Sequence, residues 1–164
     1  MKVQLSIDNE DCEHYPFPDS NVLSRIFENE IASLWPQGIQ KPEIVEISIS
    51  TLTQSDMKEQ NKMFRGIDSS TDALSFPMWE NNGEFAPEMS CPMLLLGDIL
   101  LCPEKISENA AAKLESKEYF EELCLVLAHS FLHLLCWDHG TEENETNMWR
   151  RQETIKSRII GEQV

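Results

Sequence analysis

The stretch Leu123–His139, LCLVLAHSFLHLLCWDH, decides how the rest of the chain is read. From Leu123 to Trp137 it is apolar apart from two histidines and a serine, and it is shorter than the roughly 20 residues that a bilayer span needs. It reads as a buried helix, running from about Lys117 to Leu135, at the heart of a compact domain. Residues four apart on a helix differ by about 40° in azimuth and lie one turn apart, so His129 and His133 project two imidazoles from one face. If the helix continued, His139 would point about 240° away from His133, so it can join them only if the chain leaves the helix near Cys136. Asp138 and Gly140 favour a turn there.

Unpaired imidazoles on an apolar helix face would each carry a desolvation cost, which coordination of a metal removes. Three neutral imidazoles on Zn²⁺ leave a fourth position for water, whose pKa falls to about 7, and that is hydrolytic chemistry. The expected cofactor is one Zn²⁺ per chain, held by His129, His133 and His139 at the end of the buried helix. The fourth histidine, His14, lies far away in sequence.

The neighbours of the cluster narrow the chemistry. Zinc proteases of the H-E-x-x-H type carry a glutamate general base after the first histidine, where this chain has Ser130. Peptide hydrolysis thus loses its usual base. Asp138 either orients an imidazole or only caps the turn. Cys136, three residues beyond His133, is either a core cysteine or a fourth ligand that would close the site and make the zinc structural.

Upstream, Val3, Leu5 and Ile7 alternate as in a half-buried strand, and a polar, proline-containing turn follows over Asp8–Pro18. An amphipathic helix runs from an N-cap at Asp19 or Ser20 through Val22, Leu23, Ile26, Phe27, Ile31 and Leu34 until Trp35-Pro36 and Gly38 stop it. Val45, Ile47 and Ile49 form a second strand, and Ser55 can cap a polar helix to about Phe64. Ala73–Met78 is a short strand whose Pro77 places it at an edge, and the acidic segment Trp79–Pro92 is expected to be a surface loop. Met93–Leu101 is a continuous apolar strand closed by Pro103, with helical sequence over Glu104–Ser116 and a last helix over Glu142–Ile160. The expectation is a single α/β (α+β) domain over residues 1–164, a mixed sheet of about four strands packed with helices.

Five cysteines, Cys12, Cys91, Cys102, Cys124 and Cys136, lack CxxC spacing in a chain too large to need a disulfide framework, which fits a reducing cytoplasm. The N-terminal sequence has no apolar run of signal-peptide length, so nothing in it directs export. The net charge of −16 opposes polyphosphates globally and argues against an RNA-coating protein. An enzyme gripping RNA at one local cationic spot remains compatible with it, because a metal ion and a few basic side chains reverse the potential within a Debye length.

The segment HSFLHLLCWDH over 129–139 resembles the HGxLHLxGYDH signature of the YbeY family, bacterial metal-dependent endoribonucleases of ribosomal RNA maturation. Residues 61–77, NKMFRGIDSSTDALSFP, are similar to that family's arginine block and "TDVLSFP" strand, and Leu96-Gly97-Asp98-Ile99 matches its "LGDI" strand. The three blocks lie in family order and cover most of residues 45–145. The resemblance implies a single-domain α/β fold, a zinc on the three motif histidines, and single-strand-specific cleavage of RNA in 16S rRNA 3′-end maturation and ribosome quality control. Its implied partners are single-stranded ribosomal RNA and the ribosome or small-subunit proteins, with no membrane and no DNA. Arg65 corresponds to the family's functionally important arginine and stands with His129 as a catalytic candidate, while Asp72, Ser75 and Asp98 line the cleft by family position. A guanidinium suits a phosphodiester and its developing charge, although an arginine on a turn can also be only a surface residue. The chain departs from the signature at Ser130 and at Cys136, where a helix-ending glycine stands in the family, and a side chain at positive φ there costs roughly 1 kcal/mol. Two rival readings are a zinc hydrolase of a non-RNA substrate and a ribosome-docking assembly factor with a structural zinc.

Overall fold

Alternation of β-branched and polar residues builds the strands in the expected places. The structure is a computed structural model that describes residues 1–88, 92–113 and 118–163. Strands β1 (Lys2–Asp8) and β2 (Ile44–Thr51) pair in parallel, so Val3, Leu5 and Ile7 lie beside Val45, Ile47 and Ile49 on one face. Between them, α1 (Ser20–Leu34) starts at Asp19, whose carboxylate accepts from the backbone N–H of Asn21 and Val22 at 2.9 and 3.1 Å. Helix α2 (Gln54–Arg65) is capped by Thr53 rather than by Ser55, with the Thr53 hydroxyl accepting from Asp56 N–H at 3.3 Å. Thr53 is the extended residue just before the first turn, the position from which a hydroxyl reaches back to an orphan donor; Ser55 already lies inside the helix.

Strand β3 (Ala73–Pro77) does lie at an edge, antiparallel to the longer apolar strand that follows. The acidic segment after it departs from a plain loop: β4 (Glu80–Asn81) and β5 (Glu84–Phe85) form a small hairpin. Asn82 and Gly83 both take positive φ, at 53° and 81°, as a two-residue hairpin turn requires. Residues 89–91 of that segment, Cys91 included, lie outside the described residues. Strand β6 (Met93–Leu101) pairs with β2 in parallel, giving a mixed sheet of order β1-β2-β6-β3. A bulge at Leu96 interrupts the β2–β6 register. Beside it a Cβ on Gly97 would meet the Phe76 carbonyl oxygen at 2.3 Å and Leu134 Cδ2 at 2.8 Å, so only glycine admits β3 and α4 this closely.

Helix α3 (Pro103–Ala112) opens on Pro103, whose missing N–H is harmless in a first turn, and stops earlier than expected because Lys113 is already extended; residues 114–117 lie outside the described residues. Helix α4 (Tyr119–Leu134) and α5 (Glu142–Gly161), the latter capped by the Thr141 hydroxyl, complete the fold. Val45, Ile47, Ile49, Leu96 and Ile99 of the sheet join Leu23, Ile26 and Phe27 of α1 and Leu127 and Phe131 of α4 in one buried core. Phe27 stacks on Phe131 with ring centroids 4.1 Å apart. Met57 of α2 packs with Leu74 and Cys102 in a smaller cluster, against the other side of β3. Helix α4 is therefore wedged between the sheet, α3 and α5, and its C-terminal end is the part that a site can use. No helix among the described residues is long and apolar enough to cross a membrane.

Candidate metal centre

The three clustered histidines meet because α4 ends where the sequence lets it. Leu134 is the last helical residue, Leu135 caps it, and Cys136 takes φ +64°, the left-handed conformation that reverses the chain. Cys136 N–H donates to the His133 carbonyl at 3.0 Å and Trp137 N–H to that of Leu132 at 3.1 Å, so a paired C-cap closes the last turn. The reversal carries His139 back, its ring centroid 5.0 Å from that of His129 and 5.3 Å from that of His133. One ring nitrogen from each of the three imidazoles lies within 4.8 Å of the others.

The far nitrogens of two rings are held. The His133 Nδ1 donates to the Trp137 carbonyl at 2.9 Å, since a carbonyl can only accept. The His129 Nδ1 faces Gln152 Oε1 of α5 at 2.9 Å. Both Nε2 atoms are thereby turned toward each other, 2.9 Å apart. Burial, with the facing His129 next, pushes the His133 pKa down to about 4, so the ring stays neutral and donor-competent at neutral pH. Three imidazoles converging from a partly buried helix end fit a borderline divalent cation such as zinc.

Beside the histidines opens a cleft of about 680 Å³ between α4, the outer side of β3 and the end of α2. Arg65, Asp72 and Ser75 line it together with His129, His133, His139 and Gln152. Arg65 is exposed at the last position of α2, and no carboxylate among the described residues pairs with it. Asp72 accepts from the N–H of Ala73 at 2.8 Å, and the Ser75 hydroxyl donates to the Ser130 carbonyl at 3.3 Å, tying β3 to α4. The Ser130 hydroxyl is buried and has no hydrogen-bond partner among the described residues.

One expectation needs correcting, and two open alternatives are narrowed. Asp98 does not line the cleft: β6 sends Gly97 and Ile99 toward α4, so strand alternation puts Asp98 on the opposite face, beside Phe76. Asp138 caps rather than orients, since its carboxylate accepts from His139 N–H at 2.7 Å and faces a second groove that also holds Cys136 and Trp137. Cys136 lines that groove too and is not part of the group formed by the three imidazoles; half-buried and outside both core clusters, it is neither the fourth ligand nor the core cysteine that the sequence offered as alternatives. Gln152 and Glu122 escaped the sequence reading. Glu122 is buried at the cleft wall and paired with Lys113, and Gln152 is the polar member of an otherwise apolar buried stripe on α5, a break in pattern that the sequence does display.

A three-imidazole centre on the end of a core helix, open on one side to a cleft with a free arginine, is the arrangement of a metal-dependent hydrolase. The sequence model of the family described as endoribonuclease YbeY matches residues 7–160, and the chain belongs to that family. Similar proteins named endoribonuclease YbeY include one from Shouchella clausii, 40% identical over 114 residues that cover 67% of this chain and 69% of the relative. Another, from Geobacillus kaustophilus, is 38% identical over 119 residues covering 72% and 75%, and one from Clostridium botulinum is 35% identical over 144 residues covering 79% and 86%. A solution structure of a Thermotoga maritima protein has the same fold, with a TM-score of 0.53 at 23% identity over 98% of this chain and 90% of that one.

Proposed function

We propose that this chain is a zinc-dependent endoribonuclease of the cytoplasm that cuts single-stranded ribosomal RNA, in 16S rRNA 3′-end maturation and ribosome quality control, with the ribosome or its small-subunit proteins as partners. The observation that carries the reading is the pair of Nε2 atoms 2.9 Å apart, both far nitrogens engaged, with the His139 ring beside them. His129, His133 and His139 would hold the ion, which when bound supplies Lewis acidity toward a phosphate oxygen and lowers the pKa of water.

This chain's own residues do the rest. Arg65 forks onto non-bridging oxygens of the scissile phosphodiester and balances charge that develops there. Its lack of a carboxylate partner keeps the guanidinium available. Asp72 and Ser75 shape the cleft wall opposite α4, and the Ser75–Ser130 bond fixes its width. An open cleft admits a flexible single strand more readily than a stiff duplex, which supports single-strand specificity. The net charge of −16 is met locally, since the arginine and the bound cation form a positive spot within a Debye length.

The test compares purified wild type with His129→Ala and Arg65→Ala, measuring bound metal and the cleavage of single-stranded and duplex rRNA fragments. Wild type is expected to carry one zinc and cut the single strand, His129→Ala to lose both properties, and Arg65→Ala to keep the metal while losing about 100-fold in rate. Equal activity in wild type and His129→Ala would end the proposal.

A further inference from the structure

Helix α5 turns Met148, Gln152, Ile155 and Ile159 inward, and among these buried residues Gln152, 9% exposed, is the polar one. A buried amide needs hydrogen-bond partners, because leaving one unmade costs on the order of 1–3 kcal/mol. The partner here is His129, whose Nδ1 lies 2.9 Å from Gln152 Oε1. The backbone carbonyl of Trp137 stands in the same relation to His133 Nδ1, also at 2.9 Å, and there the direction of the bond is fixed because a carbonyl only accepts.

We infer that Gln152 is a positioning residue: its amide oxygen accepts the Nδ1 proton of His129 and so fixes the tautomer in which Nε2 presents its lone pair to a metal. The inference rests on the reading of the three histidines as a metal centre. Tautomer control matters at this ring because a proton on His129 Nε2 would occupy the space that the cation needs, 2.9 Å from His133 Nε2. The two helix-borne imidazoles are thus oriented by different means, one by the turn that ends α4 and the other by a side chain from α5. Since α5 begins at Glu142, shortly after His139, seating this one helix both orients the first ligand and anchors the chain next to the third.

The test exploits the two-sided chemistry of an amide, which can accept or donate, against side chains that cannot do both. In Gln152→Glu the carboxylate only accepts; in Gln152→Met a side chain of similar length donates nothing, and its thioether accepts only weakly. Affinity for Zn²⁺ alone is measured on the full chain by chelator competition at neutral pH, with the melting temperature of each metal-free variant as the check on folding. Gln152→Glu is expected to bind zinc at least as tightly as wild type, and Gln152→Met to bind about 10–100-fold more weakly. The reverse order, affinity kept by methionine and lost by glutamate, would mean that the position only fills space, and would overturn the inference. Should Gln152→Met fail to fold, a tenfold loss in Gln152→Glu overturns it alone. Wild type without measurable zinc affinity would instead sink the metal-centre reading, and the inference with it.

Discussion

Cys136 holds φ +64° with a side chain attached, and the whole site depends on that one residue, because the reversal there returns His139 to the helix end. L-residues pay for this conformation, so Cys136→Gly is expected to stabilise the chain by about 1 kcal/mol in urea denaturation, with zinc stoichiometry unchanged. A destabilised glycine variant would show that the thiol packing outweighs the backbone strain. Arg65→Lys is expected to retain metal yet lose at least tenfold in kcat/KM on single-stranded RNA, since an ammonium cannot fork onto two phosphate oxygens. Undiminished kcat/KM would reduce Arg65 to a general positive charge. At this scale the sequence showed the three imidazoles plainly, for the i, i+4 spacing puts His129 and His133 on one helix face and the Asp138–Gly140 turn signal lets the chain bring His139 back. Gln152 is visible there only as a polar break in the Met148–Ile155–Ile159 stripe of a mixed-charge helix, and nothing in that break says which residue it faces.

At the scale of elements, the cleft is a gap between an edge strand and a helix, and Gly97 is what lets the two approach closely enough for the Ser75–Ser130 bond to form. Adding a Cβ at Gly97 would drive it against the Phe76 carbonyl and Leu134, so Gly97→Ala is expected to lose about 1–3 kcal/mol and to shift β3 away from α4, weakening metal-dependent cleavage along with stability. Urea midpoints and cleavage rates measured together check it; wild-type values for both would place β3 elsewhere. Strands, helices and the Asp19 cap were legible because alternation and 3.6-residue periodicity survive burial on one face. The β4–β5 hairpin was not, since two-residue strands have no period and the acidic composition masked the Asn82-Gly83 turn signal. Asp98 shows a further limit: its neighbours Gly97 and Ile99 face α4, and strand parity next to a bulge cannot be counted from sequence.

For the whole molecule the central tension is a −16 chain acting on a polyanion. With one arginine and one bound cation at the cleft, few phosphates are neutralised, so the affinity for single-stranded RNA should fall only shallowly with salt, with a log–log slope of about −1.4 for two contacts. A slope several times steeper would mean that a wider basic surface, absent from this reading, carries the RNA. Stability should also depend on alkaline pH through the core. Burial raises the Cys124 thiol from about 9 to about 12, so between those values the unfolded chain loses a proton that the folded chain keeps. Stability therefore declines as pH rises through that window, and Cys124→Val should show a smaller decline in urea midpoint than wild type.

The most direct measurement of the central claim is X-ray absorption at the zinc edge of the metal-loaded wild-type chain. Three imidazole nitrogens at about 2.0 Å with an oxygen completing the set is the predicted result. A sulfur neighbour at about 2.3 Å, or fewer than three imidazoles, would contradict it.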